Sequence, residues 1–195
     1  EFDAKANKKD MAETYLYAFE YLVKEAKVES VMGAYNRVNG EPACASTELM
    51  KKLDEWNFDG HFVSDCWAIR DFHLNHMVTK TAPESAALAL KTGCDLNCGN
   101  TYIHLLIALR EGLITEEDVR KACVKLMRTR VRLGMFDEKT EYDSLDSEIV
   151  ACEKHKALSL ECARRSMVLL KNNGILPLDR NKIKTIGVIG PNADS

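Results

Sequence analysis

The sequence predicts an α/β fold built on a parallel sheet, and three observations support this prediction. Short apolar segments that resemble strands alternate with longer segments in which apolar residues recur at helical spacing. Glycine, proline and capping residues separate these segments. The order is helix, strand, helix, strand, helix, strand, helix, helix, which favours βαβ units. Because three strands cannot close a barrel and a parallel sheet needs cover on both faces, we expect part of a larger α/β domain.

The composition is that of a globular protein and excludes several classes of partner. Hydrophobic residues make up 46% and charged residues 29% of the 195, which argues against disorder. The net charge of −3 does not provide the basic patch that binding to nucleic acid requires. No apolar run reaches the roughly 18 residues of a membrane span, and no signal peptide is visible. We therefore expect no nucleic-acid partner and no membrane partner.

The first predicted helix and strand lie within the first 40 residues. Asp10 followed by Glu13 resembles a capping box, and apolar residues then recur at helical spacing. Residues 28–35 form a β-like segment, which ends in a polar turn at residues 36–40. Tyr35 therefore stands at the end of the first predicted strand.

The second helix and strand lead to the longest loop of the predicted sheet. Ser46 can cap a helix whose apolar residues share one face. Residues 61–64 then form a short strand that ends at Asp65. The connection over residues 66–81 is about 16 residues long, against the usual 2–6 for such loops.

Three further helices and one further strand are predicted before Gly134. The first of these helices has Thr81 and Glu84 at its start, Pro83 in its first turn and Gly93 as its stop signal. Residues 95–97 form a third short strand. Two helices follow, over residues 102–111 and 115–133.

The sequence predicts three parts along the chain. Residues 1–135 form the α/β domain, and residues 136–180 form an acidic linker and a connecting helix over about 149–171. Residues 181–195 open a second α/β domain with a strand at residues 184–189. A strand with no later partner suggests that the rest of this domain is missing from the sequence.

The candidate site lies where two predicted strands end. In parallel α/β folds, active sites lie at the carboxyl ends of strands, which here carry Tyr35 and Asp65. Trp67 follows two residues after Asp65, and an aromatic face beside a carboxylate is what a sugar site needs. The alternatives are that Asp65 caps a helix or anchors the loop, and that Trp67 packs in the core.

Other polar residues offer weaker alternatives. Asp95 also ends a strand and is a rival carboxylate, although a structural hydrogen-bonding role is preferred. His73 and His76 lie in the long loop without further ligands that would complete a metal site, so packing or contacts at the substrate rim are expected. We expect no metal and no organic cofactor.

The seven cysteines are odd in number and lack the spacing of a small disulfide scaffold. We therefore expect reduced thiols in a reducing compartment, and this count together with the missing signal peptide favours a cytoplasmic location. Cys94 and Cys98 are spaced too widely for a typical zinc pair. A thiol or metal hydrolase that uses these two residues remains a third and weaker hypothesis.

Four segments resemble glycoside hydrolase family 3, in the order of that family. They are residues 31–40 (VMGAYNRVNG), 60–69 (GHFVSDCWAI), 166–178 (SMVLLKNNGILPL) and 189–194 (IGPNAD). The combination covers essentially the whole chain. The resemblance implies a β-glucosidase or β-xylosidase that releases terminal β-D-glucose or β-D-xylose.

The resemblance also implies roles for five residues. Asp65 corresponds to the catalytic nucleophile, and Tyr35 lies beside the sugar in the subsite where cleavage occurs, within a segment that also contains Met32. Cys66 stands where the common β-glucosidase version has tryptophan, and Trp67 comes one place later. This departure looks more like the xylosidase branch, and we expect Met32, Tyr35, Cys66 and Trp67 to bind the substrate.

The resemblance places this chain within a longer enzyme. It implies the C-terminal half of a TIM-type (β/α) barrel, then a linker and the first strand of a second α/β sandwich domain. The acid/base carboxylate lies in that second domain, so the remainder of the chain is needed and these residues alone are expected to be inactive. The alternative hypothesis is a non-catalytic carbohydrate-binding or scaffold segment that retains the fold.

Overall fold

The computed structural model describes residues 2–194 and confirms the predicted α/β fold. The chain divides into two compact units, one up to Glu138 and one from Lys139. The helices of the first unit are Lys8–Asp10 (α1), Tyr17–Lys24 (α2), Thr47–Glu55 (α3), Asp71–Leu74 (α4), Ala82–Thr92 (α5), Leu105–Arg110 (α6) and Glu116–Arg132 (α7). Its strands are Asp3–Ala4 (β1), Ser30–Gly33 (β2), Arg37–Val38 (β3), Glu41–Pro42 (β4) and His61–Ser64 (β5).

The parallel sheet is formed by β2 and β5. The two strands pair in register from Ser30 opposite His61 to Gly33 opposite Ser64. The predicted third strand at residues 95–97 is wrong, since only Leu96 bridges Val63. The amides of both Asp95 and Leu96 donate to the Phe62 carbonyl, and residue 97 then turns its side chain to the Ser64 hydroxyl, so the ladder stops after one residue.

A second small sheet was not predicted. It has the order β1, β3, β4, with β1 parallel to β3 and β3 antiparallel to β4. The polar turn expected at residues 36–40 contains the two-residue hairpin turn of β3 and β4. Asn39 and Gly40 both have positive φ, at 51° and 98°, as such tight hairpins require.

The core of the first unit lies between the parallel sheet and the helices that cover it. The larger cluster combines residues of β5 with residues of α2, α3, α4 and α5. Its buried members are Val23, Cys44, Ala45, Leu53, Trp56, Phe62, Ala68, Ile69, Phe72, Ala89 and Cys94. A smaller cluster joins α5 to α6 and α7 through Ala87, Leu90, Ala108, Ile114 and Ala122. Burial of these apolar side chains holds the two strands under the helices.

Two predicted helix caps are confirmed and one is wrong. The Ser46 hydroxyl accepts the Leu49 amide at the start of α3, and Thr81 caps α5. The first helix is instead capped by Asn7, whose side chain accepts the Asp10 amide. Asparagine is as good a cap as aspartate, and its earlier position starts the helix one turn sooner than predicted.

The second unit contains the helix Glu153–Ser166 (α8), shorter than the predicted 149–171. The strand predicted at residues 184–189 is absent, and no strand is found in the described residues of this unit. A strand requires a neighbouring strand for its backbone groups, and the described residues provide none. None of the described helices is long and apolar enough to cross a membrane.

Candidate active site

Asp65 and Tyr35 leave the parallel sheet at the same edge. Asp65 directly follows β5, and Tyr35 comes two residues after β2. The Asp65 amide donates a 2.9 Å hydrogen bond to the Gly33 carbonyl, which continues the strand pairing by one step. The backbone of Asp65 is therefore held by the sheet, while its side chain is half-buried at the carboxyl edge.

The Asp65 carboxylate interacts with the Tyr35 hydroxyl. Desolvation raises the pKa of Tyr35, and the negative charge of Asp65 and a hydrogen-bonding interaction with it raise this pKa further. The Cys66 amide donates to Oδ1 of Asp65 at 2.7 Å. The Tyr35 phenol and the Cys66 amide therefore both face the Asp65 carboxylate.

Trp67 is 43% exposed, so the alternative of a core tryptophan is wrong. Its backbone adopts the left-handed conformation, with φ of 70°, and its amide donates to the Cys98 carbonyl at 2.6 Å. The guanidinium of Arg70 lies 5.0 Å from the centre of the Trp67 ring. This cation–π contact holds one aromatic face, and no local pattern in the sequence indicated that Arg70 would make it.

Cys66 forms a disulfide with Cys98, so the prediction of reduced thiols is wrong for these two residues. The same bond removes Cys98 from the proposed pair of metal ligands, and no group of three metal-binding side chains is found among the described residues. Cys44 and Cys94 are buried free thiols, and burial raises the pKa of Cys44 to about 12. The disulfide removes one of the two reasons for favouring a cytoplasmic location.

Asp95 has the structural role that was preferred for it. Its carboxylate is buried, accepts the Phe62 amide at 2.9 Å and pairs with Lys125 at 3.2 Å. These two partners direct the carboxylate to the backbone of β5 and to α7. Asp95 is therefore an anchor for the sheet, as expected for a buried carboxylate with two donors.

The predicted long loop contains α4, in which His73 lies and packs against α5, while His76 follows α4 and packs against it. Nδ1 of His73 lies 2.8 Å from the Ser85 hydroxyl, and desolvation lowers the pKa of His73. His76 is buried, and its ring stacks on Phe72 with the centroids 6.3 Å apart. Desolvation also lowers the pKa of His76, which keeps the ring neutral.

Met32 lies on an open face of the sheet. It is the next-to-last residue of β2 and is paired with Val63 of β5. The other edge of β5 is bridged at Val63 by Leu96. The Met32 side chain is 58% exposed, whereas Phe62 on the opposite face is buried. Met32 is thus accessible close to Tyr35, but it is not on the loop that carries the carboxylate.

The carboxyl edge of a parallel sheet is where the active sites of α/β domains lie, and here it carries a carboxylate, a tyrosine and an exposed tryptophan. Residues 3–129 match the family model described as the glycosyl hydrolase family 3 N-terminal domain. The chain belongs to this family, as the resemblance implied.

Similar proteins cover nearly all of this chain. It is 40% identical over 199 residues to beta-D-xylosidase 1 of Arabidopsis thaliana, covering 99% of this chain and 26% of the relative. It is 41% identical over 203 residues to a probable exo-1,4-beta-xylosidase of Aspergillus clavatus, covering 100% and 26%. The chain therefore spans about a quarter of the length of these relatives.

Solved structures of the family have the same fold over this region. A GH3 exo-beta-xylosidase in complex with a xylobiose aziridine probe superposes with a TM-score of 0.80 at 29% identity, covering 92% of this chain and 24% of that protein. A β-glucosidase from Erythrobacter marinus superposes with a TM-score of 0.76 at 30% identity, covering 90% and 24%.

Proposed function

We propose that the complete protein is a retaining, exo-acting β-glycoside hydrolase that releases terminal β-D-xylose or β-D-glucose through a covalent glycosyl-Asp65 intermediate. The observation that carries this proposal is the position of Asp65 at the carboxyl edge of the sheet, close to Tyr35 and two residues before the exposed Trp67. Its substrate would be a carbohydrate, as the names of its relatives indicate for those proteins.

The chemistry assigns Asp65 the attack on the anomeric carbon. The carboxylate must be ionised to attack, and the Cys66 amide donates to its Oδ1 at 2.7 Å. As the carboxylate becomes a glycosyl ester, its charge is lost and the Tyr35 hydroxyl becomes free to bond to the ring or to a hydroxyl of the sugar. The site would be lined by Tyr35, Trp67, Met32 and the disulfide of Cys66.

A second carboxyl group must protonate the leaving oxygen, about 5–5.5 Å from the nucleophile in a retaining enzyme. We assign this group to the second domain, outside this chain, because Asp95 is engaged by Phe62 and Lys125. No metal or organic cofactor takes part in this reaction.

The same proposal includes the architecture of the complete enzyme. Residues 1–135 would be the C-terminal half of a TIM-type barrel, with residues 136–180 as the connection and residues 181–195 as the start of the second domain. In support, β2 pairs with β5 on one side only, and Met32 and Leu96 leave an apolar face uncovered. Further strands would cover both features.

The experiment is to express the complete protein and assay aryl β-xyloside and aryl β-glucoside hydrolysis. We expect both to be cleaved, the xyloside faster, with Asp65→Asn lowering kcat at least about a thousandfold because an amide is a poor nucleophile. The matched control is Asp54→Asn, an exposed aspartate of α3. A slow 2-fluoro-glycoside should label Asp65 covalently.

Three outcomes would contradict the proposal. Near wild-type turnover by Asp65→Asn would show that Asp65 is not the nucleophile. A label on another carboxylate would transfer the role to that residue. Sugar binding without any hydrolysis would favour the non-catalytic carbohydrate-binding segment instead.

A further inference from the structure

The disulfide joins the two loops that form the edge of the site. Cys66 is the residue after Asp65, and Cys98 lies in the loop that follows the bridge at Leu96, 32 positions later. The Cα atoms of the two cysteines are 4.4 Å apart. The bond therefore closes directly beside the carboxylate rather than at a distant surface.

The loop around Cys98 supports the backbone of Trp67. The Cys98 carbonyl accepts the Trp67 amide at 2.6 Å, and the Cys98 amide donates to the buried Ser64 hydroxyl at 3.0 Å. Gly99 packs so closely that an added Cβ would lie 3.2 Å from the Trp67 nitrogen. These contacts tie Trp67 to the end of β5 through the neighbouring loop.

Trp67 depends on such support because its backbone is left-handed, with φ of 70°. A residue with a large side chain keeps this conformation only where its surroundings enforce it. The disulfide is attached at Cys66, one residue before Trp67, and the amide of Trp67 itself donates the hydrogen bond to Cys98. Both constraints act on the segment that contains Asp65, Cys66 and Trp67.

We propose that the Cys66–Cys98 disulfide is a positioning device for Trp67, and that its reduction reversibly weakens substrate binding. This rests on the proposed glycosidase function and adds a redox sensitivity to it. Apart from the lining contact already proposed for Cys66, the two cysteines act here through Trp67, and in this role they are positioning residues. The ring of Trp67, freed from its left-handed backbone, would no longer present a fixed face to the sugar.

The redox step needs a dithiol as reductant. One thiolate of the dithiol attacks a sulfur of the disulfide, the sulfur–sulfur bond breaks, and a mixed disulfide forms. The second thiol of the reductant displaces the protein sulfur and closes a cyclic disulfide. The protein gains two electrons and two protons as the thiols of Cys66 and Cys98, and the dithiol is oxidised.

The other cysteines of the first unit do not compete for this role. Cys44 and Cys94 are buried, and burial raises the pKa of both thiols, so neither forms a thiolate at neutral pH. Cys123 is an exposed free cysteine on α7 and provides a matched control. Cys66 itself is exposed, which gives a reductant access to the bond.

The experiment measures kcat and KM of the complete protein before and after dithiothreitol, and again after reoxidation by oxidised glutathione. Alkylation and mass spectrometry count the thiols released. We expect reduction to raise KM for an aryl β-xyloside about threefold or more, the scale of one aromatic contact, with a smaller change in kcat, at an assay temperature at which the reduced protein is still folded. Reoxidation should restore KM.

Two variants test whether this bond is responsible. Cys66→Ser/Cys98→Ser should have the raised KM without any response to dithiothreitol, whereas Cys123→Ser should respond as the wild type does. If the double variant does not fold, the proposal is still tested by the reversible change of KM in the wild type and in the Cys123→Ser control.

Three results would overturn the proposal. The first is an unchanged KM although Cys66 and Cys98 have been alkylated. The second is a loss of activity that only follows a fall in melting temperature, since that would show general unfolding. The third is the finding that the wild-type protein has no Asp65-dependent hydrolysis, which would remove the proposed function and this inference together. Hydrolysis that depends on Asp65 but does not respond to reduction would remove this inference alone.

Discussion

The amide of Asp65 donates a 2.9 Å hydrogen bond to the carbonyl of Gly33, one step beyond the last paired residues of β5 and β2. Through this bond the sheet holds the backbone of Asp65 and sets its distance from the loop that carries Tyr35. Asp65 therefore needs no long side-chain network to hold its backbone in place, and the two loops can vary while Asp65 stays fixed.

Trp67→Ala should weaken substrate binding more than it weakens the fold. Because Trp67 is 43% exposed, its loss removes less buried area than the loss of a core tryptophan would, but it removes the proposed aromatic contact to the sugar. We expect KM to rise about fivefold, from a contact worth about 1 kcal/mol. Kinetics and thermal melting would be measured together.

The control for this prediction is Trp56→Ala, which replaces a buried tryptophan of the core. It should lower the free energy of unfolding by about 3–5 kcal/mol. A fall in melting temperature for Trp67→Ala with KM and kcat unchanged would instead assign Trp67 a packing role.

Asp95→Ala should destabilise the fold without a specific effect on catalysis. The substitution leaves the Phe62 amide without its acceptor and Lys125 without its ion pair. We expect the free energy of unfolding to fall by about 1–3 kcal/mol, measured by urea denaturation. Asp95→Asn should cost less, because it can still accept from Phe62. A kcat loss as large as that of Asp65→Asn would show that Asp95 takes part in the chemistry.

Acid should remove the stability contributed by the ion pairs between α7 and the segments before the two parallel strands. A hydrogen bond from Thr129 and another from Arg132 lower the pKa of Glu29 below its ordinary 4.5. Arg132, with Arg128, likewise lowers the pKa of Asp59 below 3.8. Because the pKa values of both carboxylates are depressed in the folded state, this stability is fully present above pH 4.5. It is lost as the pH falls through the lower pKa values that the two groups have in the folded protein.

Arg132→Met tests this pH dependence. Its destabilisation relative to the wild type should be largest near pH 7 and should shrink below about pH 4, where the carboxylates become protonated in both proteins. Urea denaturation across this range is the measurement, and Arg130→Met, an exposed neighbour on α7, is the control. A destabilisation that stays constant with pH would show that Arg132 acts by packing alone.

Residues 1–195 expressed alone should hydrolyse neither aryl β-xyloside nor aryl β-glucoside. The nucleophile would lack its acid partner, whose contribution is typically about 10²–10⁴-fold, and the free edge of β2 would invite aggregation. The measurement is turnover by the soluble fraction. Turnover that disappears in Asp65→Asn would show that the acid lies within these residues and that the division between two domains is wrong.

Local signals in the sequence were enough for several features. In the caps of α3 and α5, a hydroxyl accepts a hydrogen bond from the backbone amide three residues later. Ser46 and Thr81 could therefore be recognised from the residues next to them in the sequence. The strand before Asp65 is a local apolar segment, and the motif around it indicated the family.

Only the tertiary structure decided the features that depend on distant partners. Cys66 pairs with Cys98 because two loops converge, although 32 positions separate them. The role of Asp95 depends on Phe62 and Lys125, which lie 33 and 30 residues away. The strand expected at residues 184–189 is absent for the same reason, since backbone hydrogen bonds between strands require a partner that local sequence cannot supply. The sequence by itself therefore determined where the carboxylate stands, and the convergence of distant loops decided what surrounds it.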